Sequence, residues 1–561
     1  MKKLFLSVAT LALVAPDIAA ADQSIKPYFL NDNGNGSIID SLSGSSVAVP
    51  SGRTFSAPAA KHMTTLTKGF EGTSDYDTRA LGIGLIPPDT MGAVGRSQYV
   101  EIINGSFTVY NKSTGALAAP RVTDSAFWTA AGGQATGGDP RILYNKAANR
   151  WIATGFNASD NGLQIAVSTT GDALGPWKAA QFATFNDPGR FNGIADYGTL
   201  AISGQSILVG TNDFSAATST GARSFRGTTL NVLSLKDVLK SGGPDVSGAK
   251  QFLNPFVGDA TVDRGFVLQG ANRTGGSSTA TVVAASLFTS DNVTYSITNA
   301  GKATSAQTDR TYLNGSGFNS PSAARQPTTG LSARVLDAGD ERIGSNAWEY
   351  KGRVYFATTV MQTGTDHDVV RVTVFDKASN KILSETDIGG GPSDHFDYYY
   401  GSLTLNSAGQ VVVGYNRSGD VSTGVDGRAS IFARSFNSNA DGTLKATSGE
   451  ILIKQSLVDN YHNGSPESGA PAGRQRFGDY ASVTLDPNDS HHFWVVGEFA
   501  REFNTLANHP GGSGSGFGRW GTYIGQIDVA SVPEPASWAM MIGGFGMIGL
   551  IRRQRRTVVA A

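Results

Sequence analysis

The sequence predicts an all-β body, and three observations carry that prediction. Short runs that alternate apolar and polar residues recur along the chain, the period-two signature of strands. Glycine is abundant, with 70 residues, while charged residues make up only 16% of the chain. No long helical pattern interrupts the stretch from 81 to 530, and short apolar runs between glycine-rich turns point the same way. Leu163, Ile165 and Val167 form one apolar face, with Gln164, Ala166 and Ser168 on the other. Val370, Val372 and Val374, and then Ala429, Ile431 and Ala433, repeat the pattern and predict half-buried strands.

Comparing the chain with itself reveals a repeat. Asp196-Tyr197-Gly198-Thr199-Leu200 leads to Val209-Gly210-Thr211-Asn212, and Tyr399-Tyr400-Gly401-Ser402-Leu403 leads to Val413-Gly414-Tyr415-Asn416. Asp479-Tyr480-Ala481-Ser482-Val483 leads to Val496-Gly497-Glu498-Phe499, and Gly138-Asp139-Pro140 leads through Trp151 to Thr154-Gly155-Phe156-Asn157. Each unit has an opening motif, a strand, a turn and a second strand centred on glycine, usually followed by a further strand pair. Four antiparallel strands per unit is the form of a β-propeller blade. Units beginning near Asp89, Asp139, Asp196, Phe252, Asn346, Tyr399 and Asp479 predict seven blades, of which the fourth lacks its opening motif. At about 64 residues per unit these are longer than common blade repeats, the excess falling in loops such as 301–330 and 500–518. Six or eight blades and a tandem of β-sandwiches are the alternatives, ahead of a β-helix, whose coils are shorter.

The full organisation predicted is a signal peptide (1–21), a loosely ordered Gly/Ser-rich lead-in (22–80), the propeller-like body (81–530) and a C-terminal sorting segment (531–561). The N-terminus carries Lys2 and Lys3, an apolar run over 4–14, and Ala19-Ala20-Ala21, the n-region, h-region and A-x-A site of a secretory signal, so signal peptidase should cut after Ala21. The C-terminus reads Val532-Pro533-Glu534-Pro535, then an apolar run over 536–551 containing Trp538, then Arg552-Arg553-Gln554-Arg555-Arg556. As a helix that run would span about 24 Å, enough for transient anchoring in the inner membrane with the arginines on the cytoplasmic side. The tail closely resembles the PEP-CTERM sorting signal in its PEPxxWA form. The resemblance covers about the last thirty residues and implies processing by an exosortase near Pro533–Pro535, then display on the cell surface or release. It also implies a producer of exopolysaccharide.

Composition excludes several classes. There are no cysteines, which removes disulfides, thiolate chemistry and Cys-based zinc sites. A net charge of −1 offers no field for nucleic acid. The run 31–36 has the turn residues of a calcium loop, but Leu42 stands where an EF-hand needs its bidentate glutamate. His367 and the pair His491-His492 lie in predicted turns without zinc spacing, no Gly-x-Ser-x-Gly elbow occurs, and no phosphate loop or dinucleotide fingerprint is present.

Pro87-Pro88-Asp89-Thr90-Met91-Gly92, Gly138-Asp139-Pro140 with Arg150-Trp151, and Arg476-Phe477-Gly478-Asp479-Tyr480 resemble recurring signatures of uncharacterised secreted bacterial propeller-like proteins. The resemblance implies fold and secretion and supplies no reaction. In a propeller the opening strands line the channel, so Asp89, Asp139, Asp196 and Asp479 should converge at one mouth. Crowded carboxylates need compensation. Backbone N–H groups or tyrosine hydroxyls from the next blade are the favoured partners, and Ca²⁺ at Asp139, Asp196 and Asp479 is the alternative. Tyr399 interrupts the ring of acids, and Asp394, His395 or Asp397 could substitute there. Arg141, Arg190, Arg342, Arg474 and Arg476, with Tyr197, Tyr400 and Tyr480, lie beside the same motifs and suggest a polar pocket. Boxes of the form Ser-x-Asp-x-Gly-x-Thr-Trp, expected of sialidases, are missing. The expected function is a non-catalytic surface or matrix protein that binds carbohydrate or a matrix partner. The rival is an extracellular polysaccharide hydrolase or lyase using the mouth carboxylates.

Overall fold

The computed structural model describes residues 64–529 except 136–137, 158–161, 185–192, 220–222, 328–334, 392, 421–426, 459–460, 462–474 and 504–517. The predicted signal peptide with Ala19 and Ala21, the sorting segment from 531 onward, Arg190 and Arg474 lie outside the described residues. The protein is all-β: the longest helix described, Asp124–Ala130, has 7 residues.

The strands form antiparallel sheets in chain order. Met91–Val94, Gln98–Ile103 and Ser106–Asn111 make the first, and Gly138–Asn145, Arg150–Asn157, Gly162–Ser168 and Trp177–Ala183 the second. The third runs from Ile194–Asp196 to Lys250–Pro255. Two further sets, opening with Phe266–Asn272 and Ala347–Tyr350, are joined by a short parallel bridge that pairs Ala271 with Ala347. Phe396–Leu405 opens the next sheet. The last combines Ser482–Leu485, His492–Phe503 and Gly518–Asp528 with Thr65–Ser74 from the other end of the chain.

The sheets stand in a ring. Met91–Val94 packs on Gly138–Asn145, each following sheet packs on its successor, and Ser482–Leu485 returns to Met91–Val94. The propeller-like arrangement expected from the repeat is therefore present. The ring is held shut by hydrogen bonding as well as packing, because Thr65–Ser74 pairs with Gly518–Asp528. This corrects the lead-in assigned to 22–80: its last part is a strand and the helix Asp75–Ala80, capped by Ser74, with Asp77 completing the capping box. The fourth opening is also corrected. Phe252 sits in Lys250–Pro255, the outer strand of the preceding sheet, and the next sheet opens at Phe266.

Burial differs from the half-buried strands expected. Val370, Val372 and Val374 are buried, and so is Thr373 between them. Gln164 is 0% exposed and exchanges two hydrogen bonds with the backbone of Gln134. Sheets packed in a ring are covered on both faces, so the alternation in sequence separates apolar from satisfied polar contacts rather than core from solvent. The glycine in the second strand of the repeat has a steric cause. A Cβ on Gly210 would lie 2.2 Å from the carbonyl oxygen of Leu268 in the next sheet, so only glycine lets the sheets approach. Large aromatics fill the seams: Trp494 lies 5.6 Å from Tyr99 and 6.3 Å from Phe70, tying three strands of the closure together.

Candidate functional site at the sheet openings

The opening motif folds into one recurring device, a β-bulge whose left-handed residue is held by the neighbouring sheet. Register slips occur between Gly138 and Arg141, between Phe266 and Gln269, and between Tyr399 and Ser402. Within these slips Asp139, Val267 and Tyr400 have φ of 49°, 56° and 54°, and Tyr197 has 50° between the short strands Ile194–Asp196 and Ala201–Ser203. A positive φ is uncommon for a residue with a Cβ and a genuine outlier for valine, so the surroundings must enforce it. Each N–H of these residues finds an acceptor across a sheet interface. Asp139 donates to Asn104 Oδ1 at 3.0 Å, Tyr197 to Asp139 Oδ2 at 2.8 Å, Val267 to Asn212 Oδ1 at 3.1 Å and Tyr400 to Thr359 Oγ1 at 3.2 Å. Asp89, with φ of 50°, is held in turn by Asn104 Nδ2 at 2.7 Å.

The predicted acids do converge, and they are buried: Asp89 at 2%, Asp139 at 9% and Asp196 at 7% exposure. Burial, then the charges of Asp479 and Asp139, push the Asp89 carboxyl well above its ordinary range. Burial and Asp479 raise Asp139, while Arg141 opposes. Asp196 is raised well above its ordinary range, by burial first and then by the neighbouring Asp139. Glu498 joins them: burial, then Asp89, keeps its carboxyl neutral well above the usual glutamate range.

The compensation expected from backbone N–H groups is present at Asp139. The tyrosine hydroxyls go elsewhere. Tyr197 donates to the carbonyl of Asp479 at 3.1 Å, Tyr480 to that of Pro140 at 3.3 Å and Tyr400 to that of Asp337 at 2.6 Å. Arg141 donates to the carbonyls of Gly198 and Gly344 and lies 3.4 Å from the centre of the Tyr480 ring. Arg476 pairs with Asp479 at 2.8 Å. Tyr197, Tyr480 and Arg141 thus tie together openings of sheets that are not all neighbours in the ring, across the mouth. Asp397 and Asp394 do not fill the slot beside Tyr399. Asp397 accepts from Arg325 and from the Asp368 N–H, and Asp394 accepts from Gly390, Phe396 and the Tyr398 hydroxyl. Among the described residues, no group of three or more Asp, Glu or His could hold a metal ion, so Asp139, Asp196 and Asp479 do not make a calcium cage there.

One recess opens beside this cluster. It is shallow, with a cavity volume of about 10 Å³. Asp340, Arg342, Thr358, Tyr400, Asp479 and Tyr480 contribute to its wall. Arg342 pairs with Asp340 and lies 4.3 Å from the centre of the Tyr197 ring. Burial works against its charge, but Asp340 more than restores it and lifts the guanidinium well above its ordinary value. The sequence named Arg342 but not Asp340, which lies in no repeat. It also passed over Asn104 and Thr359, and it showed Asn212 and Glu498 only as members of the repeat.

Comparisons with known proteins add one assignment. No curated protein matches the chain. Among solved structures, a protein of unknown function from Dyadobacter fermentans is 11% identical, covering 70% of this chain and 94% of that one with a TM-score of 0.35. The α-L-arabinofuranosidase Arb93A of Fusarium graminearum is 10% identical over 69% of this chain and 91% of its own, with a TM-score of 0.33. A Trypanosoma rangeli sialidase is 10% identical over 69% of this chain and 54% of its own, with a TM-score of 0.31. No helix among the described residues is long and apolar enough to cross a membrane. Residues 531–556 match the PEP-CTERM protein-sorting motif, a C-terminal signal that indicates export and exosortase sorting.

Proposed function

We propose that this chain is an exosortase-processed surface or extracellular-matrix protein whose seven-bladed propeller binds carbohydrate at the recess beside Asp340 and Arg342. The seven opening strands, at 91, 138, 194, 266, 347, 396 and 482, support the blade number. The observation that carries the binding site is the recess itself. It brings an ion pair, two tyrosines and the backbone of Gly339 and Gly344 to one small cavity, the mixture of polar groups and flat apolar faces that sugar rings use. With a cavity volume of about 10 Å³ it has room for about one water, so it would seat a single hydroxyl of a sugar chain lying over it rather than enclose a ring. The hydrolase reading is weaker. Asp139 and Asp196, both buried, do not line the recess.

The test mixes the secreted protein with exopolysaccharide of the producing cells. The protein should co-sediment without generating new reducing or unsaturated ends. Asp340→Asn and Arg342→Gln should abolish co-sedimentation while leaving the unfolding midpoint within a few degrees. Absence of co-sedimentation with the wild type defeats the binding reading. New ends, lost on Asp139→Asn or Asp196→Asn, would establish the hydrolase or lyase.

A further inference from the structure

We infer that, while the sorting segment still holds the chain in the membrane, the body stands on the face opposite its sheet openings, so that the recess points away from the lipid. This rests on the sorting part of the proposed function and not on its carbohydrate part.

The register of the closing sheet gives the direction. Ser74 and Phe499 pair with Gly521 near the opening end, where Asp479 and Tyr480 precede Ser482. Thr65 and His492 both pair with Asp528 at the far end. The strand Gly518–Asp528 therefore carries the chain from the mouth to the opposite face, and the first strand starts from that same face. Val529 is fixed there by its N–H bond to the carbonyl of His491 at 2.9 Å. The sorting motif begins at 531, so one residue separates it from a hydrogen-bonded position in the fold.

The length of that connection decides the orientation. From Val529 to the apolar run at 536 the chain can reach at most about 25 Å, even fully extended. A strand such as Arg353–Met361, with 9 residues, is about 30 Å long. The connection is thus shorter than the body is high, and it cannot carry the mouth round to the membrane. The opposite face carries lysines that suit lipid headgroups: Lys146, Lys302 and Lys351 on turns and Lys381 at the start of a strand, from three different sheets, are exposed there. Lysines so placed are attracted to anionic lipid.

The chain has no cysteine, so single introduced thiols can be labelled without background. Ala147→Cys and Ala378→Cys place a dye on exposed turns of the predicted membrane face. Ala217→Cys and Thr363→Cys place it on exposed positions at the mouth. The full-length chain is reconstituted, without exosortase, into phosphatidylcholine vesicles containing phosphatidylglycerol and a headgroup-bound energy acceptor. Energy transfer should be several-fold stronger from 147 and 378 than from 217 and 363. Equal transfer from the two pairs, or stronger transfer from the mouth, overturns the orientation. Failure of the full-length chain to partition into the vesicles overturns it too, because the sorting segment would then not tether the body. Sugar binding does not enter the readout, so loss of the carbohydrate proposal leaves this one standing.

Discussion

Replacing Glu101 by alanine should loosen the seam where the two ends of the chain meet. Glu101 belongs to Gln98–Ile103 of the first sheet, is 0% exposed, and reaches across to the closing sheet. Its Oε2 accepts from the N–H and hydroxyl of Thr73 at 2.9 and 2.7 Å and from the Tyr110 hydroxyl at 3.0 Å, while Oε1 accepts from the Thr522 hydroxyl at 2.5 Å. Thr73 lies in the first strand and Thr522 in the last, so one carboxyl ties both to the neighbouring sheet. Alanine leaves the Thr73 N–H and the Tyr110 hydroxyl buried without this acceptor, at about 1–3 kcal/mol each, and the void adds to that. Relief of a buried carboxyl, whose ionisation burial already disfavours, offsets part of it. The net cost should be about 3–5 kcal/mol, a large share of the ~5–15 kcal/mol that holds a domain folded. Glutamine is the informative control. Its oxygen can take the place of Oε2, and its amide would face Thr522, whose hydroxyl keeps the Thr73 carbonyl at 2.9 Å. Its cost should be about 1 kcal/mol or less. Urea midpoints measure the loss, and protease cleavage within 65–74 locates it. If alanine shifts the midpoint no more than glutamine does, or if cleavage rises elsewhere first, Glu101 is not the latch.

Two other outcomes follow from burial and close approach. The buried carboxyls of Asp89, Asp139, Asp196, Glu498 and Asp124 all have raised pKa values, burial being the largest cause in each. A carboxyl raised in the fold stays neutral where the unfolded chain ionises, so its stability is complete below the unfolded value and is lost as pH rises through the folded value. Asp124, raised from 3.8 to about 6, should alone account for about 3 kcal/mol between those values. The urea midpoint should therefore be higher at pH 5 than at pH 7.5, and Asp124→Asn should flatten part of that slope; a midpoint that climbs toward pH 7.5 contradicts the assignment. In the second case, Gly210→Ala drives a Cβ to 2.2 Å from a backbone oxygen, whereas Gly497→Ala meets a methyl group of Ile431 at 3.2 Å. The first should cost about 1–3 kcal/mol or more and the second under about 1 kcal/mol, read from thermal midpoints; equal losses would show that the sheets are free to part at Gly210.

Much of the fold was legible because the repeat is written in residues that the ring requires. Gly210 and Gly414 stood out in self-comparison, and both face the next sheet at distances that no Cβ could occupy. Asn212, two residues beyond Gly210, was equally visible. Its purpose was not, because an acceptor for a bulge N–H in the next sheet is a relation across a sheet interface that no single segment displays. Asn212 shows the point: its partner, Val267, is 55 residues away and carries no sign of its left-handed backbone. The fourth opening was misplaced at Phe252 for the same reason, since Val267 stands where other units show Asp or Tyr. The first strand was missed because Thr65–Ser74 has no partner near it in sequence; it pairs with residues more than 440 positions later, and its glycines and threonines read locally as loop.

The same reasoning separates the acids of the repeat from the recess. Asn104, Asp139, Asn212 and Thr359 stand around the mouth because each left-handed residue needs an acceptor from its neighbour, and a feature demanded at interface after interface belongs to the ring itself. Burial agrees: Asp139 and Asp196 are both buried, and Asp139 accepts from the Tyr197 N–H. A ligand needs polar groups that the ring does not require, and these should lie where the repeat is broken. The segment 338–344 meets that condition. It falls in the long connection before Ala347–Tyr350, has no counterpart in the other units, and brings Asp340 and Arg342 against Tyr400 and Asp479 of two other sheets. Loss of Asp139 would thus report first on the stability of the ring, and loss of Asp340 on binding. That division is why Asp340 and Arg342, rather than the more conspicuous aspartates, are the residues on which a carbohydrate function stands or falls.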